Sequence, residues 1–95
     1  MSAQKLTTSQ LEDHLARLDG WIVKDGKLHR ELQFDHFQQA FAFMTRLALY
    51  AEAQQHHPEW FNVWNRVVID LTTHDVGGLS DKDVAFAEAV NAALD

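Results

Sequence analysis

The sequence predicts an α+β fold: a single antiparallel sheet, built from a hairpin and a long strand and reaching four strands in all, covered on one face by three helices. Three observations carry this. Asp25-Gly26 stands between two extended runs, residues 61–73 alternate apolar and polar, and three segments of helical period each open on a capping side chain, at Thr7, Asp35 and Ser80.

The first helix begins after Thr7. Gln10, three residues on, completes a capping box, and Leu6 and Leu11 supply the hydrophobic staple that goes with it. Leu11, Leu15 and Leu18 follow at i, i+4 and i+7, and Gly20 stops the helix. Next, Trp21-Ile22-Val23 and the run from Leu28 to Phe34 flank Lys24-Asp25-Gly26-Lys27. Asp-Gly is a hairpin dipeptide, because a type I′ turn needs positive φ at both central positions. Leu28, Leu32 and Phe34 alternate with His29, Glu31 and Gln33, so the second set faces water.

From Asp35 to about Gln55 the period becomes 3.6. Asp35 caps, Gln38 reaches back, and Phe37, Ala40, Phe41, Met44, Leu47, Ala48 and Ala51 form an apolar stripe. Phe43 and Tyr50 widen it enough to serve both a sheet and a neighbouring subunit. His56-His57-Pro58-Glu59-Trp60 interrupts the helix, since proline disfavours helical backbone at the residue before it. One long strand then runs from Phe61 to Thr73, with Val63, Val67, Ile69 and Leu71 on one side and Trp64, Arg66, Asp70 and Thr72 on the other. Trp60 and Trp64 read as sheet packing. Residues 75–79 turn, and Ser80 caps a last helix carrying Phe86, Ala87, Val90 and Leu94 on one face.

Ninety-five residues suit one domain, 1–95. A composition of 46% hydrophobic and 23% charged residues is that of an ordinary globular protein. Without cysteine there is no disulfide, zinc finger, iron–sulfur cluster or thiol nucleophile. The net charge is −6 and the eight Lys and Arg are scattered singly, so direct nucleic-acid binding and anionic membranes lack their electrostatic footprint. No apolar run approaches a membrane span, and Met-Ser-Ala-Gln-Lys-Leu lacks the apolar stretch of a signal peptide. A cytoplasmic address is expected.

The six histidines carry what chemistry the sequence offers. His56 and His57 sit at a helix–loop–strand junction and His74 at the exit of the next strand, where a rigid scaffold presents functional groups. Imidazole moves protons in both directions near neutral pH. Glu52, one helical turn before His56, is placed to orient a ring. His14, His29 and His36 fall on solvent-facing positions and read as surface residues. Asp83, in the first turn of the last helix, also complements the helix dipole.

Three imidazoles and a carboxylate would suit zinc, but adjacent side chains of extended backbone diverge, and neither His-x-x-x-His nor His-Glu-x-x-His is present. No metal is expected. Gly-x-Ser-x-Gly and glycine-rich phosphate loops are also missing.

His56-His57-Pro58-Glu59-Trp60-Phe61-Asn62-Val63-Trp64-Asn65, followed by Thr72-Thr73-His74-Asp75-Val76-Gly77-Gly78-Leu79-Ser80, resembles pterin-4a-carbinolamine dehydratase. The strongest motif covers about residues 52–83, and the order of elements fits that family over nearly the whole chain. The resemblance implies dehydration of 4a-hydroxytetrahydropterin to quinonoid dihydropterin, recycling the pterin of aromatic amino-acid hydroxylases with no metal or organic cofactor. It implies His56, His57 and His74 as the active-site histidines and Glu52 and Asp83 as supporting acids. Pro58, Thr73, Asp75 and Val76 would line the pterin pocket with those acids. A homodimer or homotetramer is implied as well, and animal members also bind a homeodomain transcription factor through helix surfaces. One departure is Trp64, where the family commonly has Tyr; the indole keeps an aromatic ring but lacks the hydroxyl.

Overall fold

Asp25 and Gly26 take φ of 53° and 77°, the left-handed pair that a type I′ turn requires. They join β1 (Ile22–Lys24) to β2 (Lys27–Gln33) in antiparallel register, Ile22 opposite His29 and Lys24 opposite Lys27. These coordinates are a computed structural model, which describes residues 3–95.

The long strand expected from Phe61 to Thr73 is two strands. Trp64 adopts φ 48°, and the chain reverses there between β3 (Glu59–Val63) and β4 (Arg66–Leu71), pairing Val63 with Arg66. Side chains bind this reversal together: Asn62 Nδ2 donates to the carbonyls of Trp64 and Arg66, and Asn65 Nδ2 donates to the Phe34 carbonyl. Trp64 is 63% exposed at the turn and outside the core, whereas Trp60 leans on the core. The fold thus reaches its four strands by a second hairpin, in the order β1-β2-β4-β3, all antiparallel.

One face of this sheet makes the core. Leu28 lies opposite Leu71 and Leu32 opposite Val67, all buried, with Ile69 between them on β4. Above them lie α2 (Phe37–Gln54) and α3 (Asp81–Leu94). Phe86 of α3 is fully buried, with the ring of Tyr50 edge-on at 5.4 Å. Burial of such a side chain is worth roughly 1.5–3 kcal/mol.

α1 (Thr8–Leu15) has the expected capping box between Thr7 and Gln10. It ends at Ala16, short of Gly20, because tight turns take over: the Leu18 amide donates to Leu15 and that of Trp21 to Leu18. Leu11 and Leu15 only half-bury, and Leu18 is the leucine that enters the core. Gly20 has another reason to be glycine. Its φ is 86°, and a Cβ there would lie 2.6 Å from Cζ of Arg30, whose guanidinium binds the Asp19 carbonyl and the Asn91 side chain.

α2 departs from expectation at its start and ends where expected, at Gln54. Its cap is His36, whose Nδ1 accepts from the Gln39 amide, while Gln39 Oε1 accepts from the Asp35 amide. The reciprocal cap is therefore shifted by one residue, and His36 has a structural role. The buried face is Ala40, Phe43, Leu47 and Ala51, so Phe43 belongs to the core and Tyr50 leans against it. The large apolar residues left outward are Phe37 (48% exposed), Phe41 (52%) and Leu49, and Ala48 of the expected stripe is exposed with them. The sheet's other face is open, yet His29 on it is only 6% exposed, because Asp70 and Glu31 enclose it.

Candidate active site

The second histidine cluster forms where α2 ends. Gln55 takes the left-handed conformation (φ 53°, ψ 41°), and its amide and that of His56 close the last turn onto Glu52 and Ala51. That reversal turns His56 inward, so Glu52 does not meet it. The Glu52 carboxylate instead holds His57, Oε1 to Nε2 at 2.9 Å, on the exposed rim.

His56 finds a different acid. Its Nε2 lies 2.6 Å from Oδ1 of Asp83, which is fully enclosed at the third position of α3. The other carboxylate oxygen, Oδ2, accepts from the Ser80 amide at 2.9 Å and the Thr73 hydroxyl at 2.7 Å. Ser80 Oγ completes the group, 2.7 Å from Thr73 Oγ1, while the Lys82 amide donates to it at 3.1 Å. A buried carboxylate is costly unless its lone pairs are used, and these are. The capping box of α3, Ser80 with Asp83, is thus also the support of His56.

Thr73 comes into reach because residues 73–78 form a small closed loop. The Thr73 amide donates to the Gly78 carbonyl, and His74–Val76 make one 3₁₀ turn ending at Gly77, φ 66°. On that turn His74 is exposed, its Nε2 3.8 Å from Oε2 of Glu59. Glu59 also pairs with Lys27.

These elements surround an open cleft of about 250 Å³, lined by Gln55, His56, His57, Thr72, Thr73, His74, Asp75 and Lys82. All three histidines singled out from the sequence meet there, with Thr73 and Asp75. Asp83 stands behind the wall and Glu52 out on the rim, each holding one imidazole. Pro58 and Val76 lie outside the lining. Gln55, Thr72 and Lys82 are lining residues the sequence reading missed. Each adjoins a residue it had chosen, His56, Thr73 or Asp83, but nothing in spacing alone distinguishes a neighbour facing the cleft from one facing away. Among the described residues no group of three or more His, Asp or Glu is arranged to hold a metal ion.

Such a cleft supports proton traffic. A wedged imidazole with a carboxylate behind it, beside two imidazoles in contact with water, provides groups that can take a proton at one place and give one at another.

Comparison with known proteins gives one answer. The family model described as pterin 4 alpha carbinolamine dehydratase matches residues 4–93. A protein of Prochlorococcus marinus (strain MIT 9303), provisionally named for that activity, is 54% identical over 91 residues, 96% of this chain and 95% of its own length. A similarly named protein of Rhizorhabdus wittichii is 56% identical over 94 residues, 97% of each chain. Among solved structures, a Brucella melitensis protein described as a transcriptional coactivator/pterin dehydratase superposes with a TM-score of 0.91 at 43% identity, over 95% of this chain and 98% of that one.

Proposed function

The chain belongs to the pterin 4 alpha carbinolamine dehydratase family, and from that premise we propose that it dehydrates 4a-hydroxytetrahydropterin to quinonoid dihydropterin by histidine acid–base catalysis. The carrying observation is the His56–Asp83 pair, 2.6 Å apart and opening on a cleft rimmed by His57 and His74.

The reaction removes one water. A proton leaves a ring N–H of the substrate, the C4a–O bond breaks, and a proton joins the departing hydroxide. No oxidant, metal or organic cofactor enters the balance. His56 takes the ring proton, with Asp83 supplying orientation and a counter-charge to the imidazolium. His74 gives the proton to the leaving oxygen. His57, steadied by Glu52, holds the pterin, and Asp75 lines its place. Positioned acid–base groups of this kind are worth about 10²–10⁴-fold in rate each.

In the cell this activity recycles the pterin of an aromatic amino-acid hydroxylase, in the cytoplasm, and the chain works as a homodimer or homotetramer. The outward rings of Phe37 and Phe41, 5.6 Å apart on α2, favour such self-association. The same face supports a second reading, protein binding of the coactivator kind in the Brucella relative's description.

The deciding experiment follows the ultraviolet absorbance of freshly generated 4a-hydroxytetrahydropterin. Acceleration over buffer that survives a chelator and drops sharply in His74→Ala is the expected result. No acceleration by the wild type would refute the dehydratase and move the binding reading forward. Full rate in His74→Ala would refute that residue's role.

A further inference from the structure

The hydrogen bonds behind His56 have a fixed direction. A backbone N–H only donates, so the Lys82 amide occupies a lone pair of Ser80 Oγ. Thr73 Oγ1 lies 2.7 Å from both Ser80 Oγ and Asp83 Oδ2, and it has one proton to give. The carboxylate offers only lone pairs, so the Thr73 proton goes to Asp83 and the Ser80 proton goes to Thr73. Oδ2, which also receives the Ser80 amide, is then saturated, and Oδ1 is left for His56. The ring must therefore carry its proton on Nε2. Its other nitrogen, Nδ1, has no hydrogen-bond partner among the described residues, and no fully buried side-chain nitrogen or oxygen there lacks one, so Nδ1 keeps some contact with solvent.

We propose that Thr73 and Ser80 are positioning residues which, through Asp83, fix the Nε2–H tautomer of His56 and so present Nδ1 as the proton acceptor of the cleft. Thr73 borders the cleft, but its single proton is committed inward, which makes it a support for the base and not a donor to substrate. Ser80 is enclosed and touches nothing in the cleft except through this chain. The cap that starts α3 and the proton placement on the base are one device, so α3 cannot unwind at its first turn without releasing His56. The catalytic consequence rests on the dehydratase reading above; the tautomer does not.

The test uses ¹⁵N-labelled full-length protein and the long-range imidazole correlations of His56, together with steady-state kinetics. In the wild type, Nε2 carries a deshielded, slowly exchanging proton and Nδ1 shows the shift of a bare nitrogen. Thr73→Val should weaken that proton's deshielding, mix the tautomers, and lower kcat roughly ten- to a hundredfold with KM unchanged, the size expected for losing a hydrogen bond to a charged group. Thr73→Ser should restore both readouts, as should Ser80→Thr where Ser80→Ala fails, which separates hydroxyl loss from misfolding. An unchanged His56 pattern in Thr73→Val, or a raised KM at constant kcat, overturns the proposal. Should the wild type fail to accelerate dehydration at all, the resonance series still decides the tautomer.

Discussion

His56 Nε2 and Asp83 Oδ1 stand 2.6 Å apart across 27 residues of sequence, joining the end of α2 to the start of α3. Asp83 has no exposed surface, so it acts on the cleft only through the two lining side chains it binds, His56 and Thr73.

Asp83→Asn tests this. With its amide oxygen kept toward the Ser80 N–H and the Thr73 hydroxyl, the amide NH₂ faces His56 and forces the proton onto Nδ1. We expect kcat to fall by about 10²–10⁴-fold with little change in KM, while stability falls by only about 1–3 kcal/mol. Parallel dehydration kinetics and urea denaturation read the two numbers. A rate loss no larger than that of a distant, equally destabilising substitution would remove Asp83 from the machinery.

On the open face of the sheet, His29 makes a second arrangement with a different consequence. Its Nδ1 meets Asp70 at 2.7 Å and its Nε2 meets Glu31 at 3.1 Å, leaving no nitrogen for chemistry. The hydrogen bond to Asp70, then that to Glu31, hold the imidazole above its ordinary 6.5, against partial desolvation and the repulsion of Lys24. A raised value in the folded state means the stabilisation is complete below about 6.5 and is lost as pH climbs through the folded value. Glu31, held low first by His29 and then by Arg66, acts oppositely and is lost only in acid. Wild-type denaturation midpoints should therefore decline from pH 6.5 upward, and His29→Gln should flatten that decline. An identical slope in the variant would assign the pH dependence elsewhere.

The outward half of α2 bears on assembly. Phe43 and Tyr50 are engaged with the core, so substitutions there would unfold the chain before they reported on association. Phe37 and Phe41 already lie about half in water, and replacing both by Ser should cost little, since surface changes usually stay within about ±0.5 kcal/mol. Light scattering should then show a smaller particle that still turns over pterin. Unchanged mass would exclude this face as the subunit contact.

How much of this was legible in the sequence differs by element. The β1–β2 turn was, because Asp-Gly states its backbone requirement outright. The grouping of the candidate site was legible, since His56, His57 and His74 sit at breaks in regular structure and all reach one cleft. What failed was pairing. Spacing put Glu52 beneath His56, but the left-handed Gln55 rotated the histidine by one step and gave Glu52 to His57. His29 was assigned to water by its alternation, which says which face a residue is on and nothing about which neighbours close over it.

The β3–β4 reversal was missed for a simpler reason: Trp64-Asn65 carries no glycine or proline, and alternation ran on through it. That absence leaves a testable strain. A non-glycine residue in the left-handed region costs about 1–2 kcal/mol, and glycine returns part of this as lost chain entropy, about 0.5–1 kcal/mol. Trp64, being 63% exposed, offsets little of it by packing. Trp64→Gly should therefore stabilise the chain by about 0.5–1 kcal/mol in urea denaturation and leave dehydration unaltered, because the turn lies at the end of β3 away from the cleft. Destabilisation would mean that the indole covers the sheet more than its exposure indicates, and a loss of activity would tie the turn to the site after all.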